Sequence, residues 1–120
     1  MPDPRPLYQQ LAAGIRDQIG DGSLAEGDRA PSTNELSAFY SVNPTTSAKA
    51  LTTLFDEGLL EKRRGLGMFV LPGAREKVLR TRREALADKF IRPLLNEARA
   101  LGLSDAELTR LIDAERKRQP

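Results

Sequence analysis

The stretch VNPTTSAKALTTLFDEGLLEKRRGLGMFV, residues 42–70, decides the fold because its periodicity changes halfway along. Asn43 is a good N-cap, and Pro44 suits the first helical position, where an N–H would have no partner and φ is already helical. At 100° per residue from 44 to about 57, Ser47, Ala48, Leu51, Leu54 and Phe55 share a core-facing side. Thr45, Thr46, Lys49, Thr53 and Asp56 face outward. Two short runs follow, residues 59–63 and 68–71, around Gly65-Leu66-Gly67. They predict a tight β-hairpin whose first arm turns basic towards the tip.

Upstream, Pro6 and the four-residue spacing of Leu7, Leu11, Ile15 and Ile19 predict a first helix. The glycine-rich connector GDGSLAEGDRAPS ends it. Ser32 with Glu35 three residues later is a capping-box pattern, so a short second helix starts there, with Leu36 and Phe39 as its buried side. Three helices followed by a hairpin with a cationic tip is the order of a winged helix-turn-helix, in which the third helix approaches DNA by its first turns.

Downstream, Val78, Leu79, Leu86, Phe90, Leu94, Ala98 and Leu101 recur at helical steps, predicting one long amphipathic helix over about residues 76–100. Pro93 lies inside it and predicts a kink or short break near residues 90–92. Gly102 stops it, and Ser104 with Glu107 is a second capping box that opens a last helix carrying Leu108, Leu111 and Ile112. Two helices are too few to enclose a core of their own. The expected fold is therefore mainly α with a small β-hairpin: an N-terminal winged helix-turn-helix at 1–73 and two C-terminal dimerisation helices at 74–120. Leu79, Leu86, Phe90, Leu94, Ala98, Leu101, Leu108, Leu111 and Ile112 are the expected dimer interface, and a two-fold dimer would match paired half-sites.

The 120 residues are 39% hydrophobic and 30% charged, ordinary for one compact domain with a small appendage. There is no cysteine and no histidine, which removes disulfides, thiolate nucleophiles, Ser-His-Asp relays and the usual zinc and haem ligand sets. No nucleophile, base and orienting group can be assembled, so an enzyme is not expected, nor a cofactor. The start MPDPRPLYQQL lacks an apolar core, and nowhere do about eighteen apolar residues run together, so the expectation is a cytoplasmic chain with no membrane contact. Charge is uneven: residues 1–57 hold 4 cations against 8 anions, whereas from Lys62 to Arg83 eight cations face only Glu76. Such a field suits a polyanion.

The P-L-Y start, the G-D-R-A-P-S turn, the V-N-P-T-T start of the third helix and the E-G-L-L plus G-L-G-M-F-V hairpin together resemble the GntR family of bacterial transcription regulators, over residues 6–71. The short C-terminal part looks most like the family's YtrA subfamily. That resemblance implies a dimeric regulator, a repressor in most such proteins, on double-stranded DNA. Where the family commonly offers arginines, this chain has Asn34, Pro44 and Ala48, and Asn43 replaces a serine. Arg64 and Gly65 correspond to the family's base-reaching wing tip. The expected DNA-binding residues are Ser32, Thr33 and Asn34 at a helix N-terminus, Asn43, Pro44, Thr45, Thr46 and Lys49 on the reading helix, and Arg63, Arg64, Gly65 and Gly67 on the wing. With few guanine-reading arginines, the site should lean on A/T content and groove shape. An unidentified small-molecule effector would need a pocket between the winged domain and the dimer helices, or within the dimer interface. The alternative is a winged-helix module that binds an acidic protein and no specific DNA.

Overall fold

The computed structural model describes residues 3–120. Its elements are α1 (Leu7–Asp21), α2 (Thr33–Tyr40), α3 (Pro44–Asp56), β1 (Leu60–Arg63), β2 (Gly67–Val70), α4 (Ala74–Leu86), a π-helical turn (Ala87–Ile91), α5 (Arg92–Ala100) and α6 (Asp105–Arg118). The chain divides into two compact units, Met1–Thr81 and Arg82–Pro120. That boundary falls inside α4, beyond the break expected after residue 73, because Ala74 and Val78 are buried in the core of the first unit.

In the first unit α1 and α2 both pack on α3, and α3 meets β1. The core joins Leu11, Ile15 and Ile19 of α1, Leu36 of α2, Ala50, Leu51 and Leu54 of α3, and Leu60 and Val70 of the hairpin. Fully burying one such side chain stabilises by roughly 1.5–3 kcal/mol, so this face outweighs the weak helix propensity of the threonines in α3. Three apolar residues expected inside lie outside: Ala48, Phe55 and Phe39, the last 80% exposed. On α3 the buried stripe passes through Ala50 and not Ala48, since α1 and α2 flank the helix on that side. Phe39 instead packs edge to face on Tyr40, ring centroids 4.8 Å apart.

The hairpin pairs Leu60 with Val70 and Arg63 with Gly67. A third short partner comes from the connector that the sequence reads only as turn. Ala30 N–H donates to Met68 O at 2.8 Å and Val70 N–H to Asp28 O at 2.9 Å, so residues 28–30 lie along the edge of β2. This covers an edge that would otherwise be open to pairing with another chain. Arg16 grips Glu57 through two hydrogen bonds of 2.7 Å, tying α1 to the end of α3.

Within the second unit, the break expected near Pro93 is a wide turn with no loss of helix. Arg92 N–H reaches back five residues to Ala87 O, and Leu86, Ile91 and Arg92 all keep right-handed helical angles. Pro93 has no N–H to offer Lys89 O, and one π turn accommodates that gap. After α5, Gly102 adopts φ 71°, while Leu103 N–H bonds Ala98 O and Gly102 N–H bonds Arg99 O, both at 3.0 Å. That double closure is a Schellman stop. Ser104 then caps α6 in a full capping box with Glu107. Among the described residues no helix is long and apolar enough to cross a membrane.

Candidate nucleic-acid interface

Each expected contact residue has a local reason for its position. Ser32 is the N-cap of α2: its Oγ accepts Glu35 N–H at 3.1 Å, and Ser32 N–H donates to Glu35 Oε1 at 3.1 Å. Arg29 Nη2 meets the same oxygen at 2.7 Å. The Glu35 carboxyl is accordingly held below its ordinary value, first by the Ser32 backbone and next by Arg29. Thr33 and Asn34 occupy the first turn of α2, with Asn34 exposed.

Asn43 Oδ1 accepts Thr45 N–H at 2.8 Å and so caps α3, with Pro44 in the first turn. Its carbonyl is committed to the helix start, which leaves the amide nitrogen for any ligand. Between α2 and α3, Ser41 has φ 55°, and Ser37 Oγ and Ser47 Oγ lie 2.8 Å apart, joining the two helices through a serine that is wholly buried at position 47. Those links fix the angle at which Thr45 and Thr46 are presented. The Lys49 ammonium lies over the Tyr8 ring, 4.2 Å from its centroid, while the residue stays exposed. The one cation of the reading helix is thus held towards α1.

On the wing, the Arg63 guanidinium stacks over Phe69 at 4.2 Å and pairs with Glu61 at 2.7 Å. Arg64 is exposed and, among the described residues, has no hydrogen-bond or ion-pair partner. Gly65 at φ 76° and Gly67 at φ 111° take left-handed angles that a side chain would resist.

Six of the twelve expected residues, Ser32, Thr33, Arg63, Arg64, Gly65 and Gly67, line a single cleft of about 630 Å³ between the start of α2 and the wing. Arg29 and Lys62 line it too, so four cations surround it. Asn34, Asn43, Pro44, Thr45, Thr46 and Lys49 lie outside its lining. Arg29 was missed as a site residue because only the strand-like pairing of residues 28–30 carries it beside the wing. The Tyr8–Lys49 contact spans α1 and α3, and no local spacing announces it. In the second unit, Leu94, Ala98, Leu101, Leu108, Leu111 and Ile112 line one apolar groove of about 440 Å³ between α5 and α6. Leu86 and Phe90 are exposed outside it, and Leu79 is half-buried in the first unit.

A helix-turn-helix, a wing and a cationic cleft between them define a DNA-binding domain of the winged helix-turn-helix class. The family model "Bacterial regulatory proteins, gntR family" matches residues 7–70. The chain belongs to the GntR family. It is 34% identical over 76 residues to the HTH-type transcriptional repressor YtrA of Bacillus subtilis, covering 61% of this chain and 58% of that one. Its fold matches a GntR-family regulator from Bacteroides thetaiotaomicron with TM-score 0.77 and 28% identity, across 96% of this chain and 100% of that one. It also matches the AraR DNA-binding domain in complex with operator ORR3, with TM-score 0.54 and 31% identity, across 58% of this chain and 84% of that one. The family and these relatives are transcriptional regulators, not enzymes.

Proposed function

We propose that this chain is a cytoplasmic, homodimeric, sequence-specific repressor that occupies a palindromic operator. In each protomer α3 enters the major groove with Thr45 and Thr46 foremost, while the cleft between α2 and the wing receives the sugar-phosphate backbone. The observation that carries this reading is the cleft itself, where Arg29, Lys62, Arg63 and Arg64 surround the N-terminus of α2. Free N–H groups and the helix dipole there favour a phosphate, and Lys62 and Arg64, the two of the four cations with no carboxylate partner among the described residues, deepen that preference. The threonine hydroxyls and methyls read base edges and thymine methyls, so the site favours A/T-rich half-sites.

The helices after the wing serve as the dimerisation segment. Ala98 is the one buried hydrophobic residue of the second unit among those described, while Leu86, Phe90, Leu94, Leu101 and Leu111 all remain exposed. A surface this apolar supports burial against a second copy. Footprinting on the chain's own upstream region, together with sedimentation equilibrium, tests the whole reading. The expected result is a protected palindrome with half-site centres a whole number of helical turns apart, bound by a species of twice the chain mass. Protection of a single half-site by a monomer would sink the homodimer, and no protection at low salt would sink the repressor.

A further inference from the structure

The wing carries an apolar side chain at its tip. The turn between β1 and β2 is Arg64, Gly65 and Leu66, and Leu66 is 65% exposed. This tip is firmly shaped: Leu66 N–H donates to Arg63 O at 2.9 Å, and the two glycines supply the left-handed angles on either side. Its base is braced as well, since residues 28–30 pair along β2, with Ala30 N–H donating to Met68 O at 2.8 Å. Arg63 is folded back on Phe69 and Glu61, so the tip itself offers one cation, Arg64, and one branched apolar group, Leu66.

We infer that Leu66 acts as an apolar wedge in the minor groove, beside Arg64, and selects operators that carry an easily unstacked base step under each wing. The inference rests on the DNA-reading function proposed above. With α3 in the major groove, the hairpin that follows it overlies the flanking backbone and the adjacent minor groove, which is about 6 Å wide. A three-residue turn fits such a groove where a helix does not. Leucine carries no hydrogen-bonding atom, so its contribution there is to displace water and pry apart a pair of stacked bases, which is cheapest at pyrimidine–purine steps such as TA. Arg64 at its side adds the attraction of a cation for the groove's negative potential. Specificity would then come from deformability at positions that no polar side chain reads.

The test uses the full chain and a duplex that it enriches from a random-sequence pool, with 2-aminopurine placed at successive steps outside the α3 contacts. Wild type is expected to raise the fluorescence at one step per half-site and to prefer TA over AA there. L66A should weaken binding roughly fivefold to tenfold, abolish the fluorescence rise and leave the salt slope unchanged. L66K should regain affinity at low salt with a steeper slope, again without unstacking. Unaltered thermal unfolding of both variants confirms that the turn still folds. L66A binding as tightly as wild type with the same fluorescence rise would overturn the wedge while leaving DNA reading intact. A chain that enriches no sequence would remove the DNA-reading function and the wedge together.

Discussion

Ser41 ends α2 in the left-handed region, at φ 55°, where an L side chain costs about 1–2 kcal/mol relative to the right-handed one. Serine tolerates this better than a branched residue would. Ser41→Val should therefore lower unfolding stability in urea by about 1–2 kcal/mol, whereas Ser41→Gly should be tolerated; equal midpoints for wild type and the valine variant would refute the strain. At the interface the same scale separates two cations. Arg64 has no partner among the described residues, and Lys49 is held over Tyr8. Arg64→Ala should reduce the slope of log affinity against log salt by about 0.9 per protomer, measured by anisotropy titrations at several salt concentrations. A slope unchanged in that variant would remove Arg64 from the DNA contacts.

Among the elements, α2 and α6 start with the same device, a serine and a glutamate that satisfy each other's backbone. Glu35 and Glu107 are both lowered from an ordinary 4.5, each chiefly by the N–H of its capping serine. A depressed carboxyl stabilises the fold above its unfolded value and loses that contribution as pH falls through the folded one. The chain should accordingly lose stability from about pH 4.5 downward. Glu107→Gln, which keeps a cap without the charge, should flatten that part of the curve in denaturant titrations; an acid limb identical to wild type would exclude this cause. On α3, Leu54 has no exposed surface, so Leu54→Ala should cost about 2–5 kcal/mol by the same measurement. A loss below about 1 kcal/mol would mean that the core collapses around the gap.

For the whole molecule, the balance of inside and outside differs between the two units. The winged unit closes a core over α1, α2, α3 and the hairpin, while the second unit leaves an apolar groove lined by Leu94, Leu101 and Leu111. A carboxylate placed there should prevent self-association without touching the winged core. Leu111→Glu is expected to halve the mass seen in sedimentation equilibrium and weaken operator binding by about 10²–10⁴, because the second half-site contact would no longer be intramolecular. If that variant sediments as wild type does, the groove is not the dimer surface.

Much of the chain was legible without tertiary structure, for physical reasons that act locally. Asn43-Pro44, the two capping boxes and the glycines of the wing announce themselves because capping and left-handed turns depend on residues within one turn of each other. The two periodicities, 3.6 and 2, gave the elements and their order. What spacing could not supply was anything set by which neighbour arrives. Residues 28–30 read as turn but pair with β2; Ala48, Phe39 and Phe55 look apolar enough for the core yet face outward. Lys49 finds Tyr8 and Arg63 finds Phe69 only after the helices and strands are packed. Sequence alone thus determined the elements and the kind of surface they offer. The tertiary structure decided which cations are engaged and which one, Arg64, is left at the tip, because that depends on which side chains the folded hairpin and the packed helices bring together.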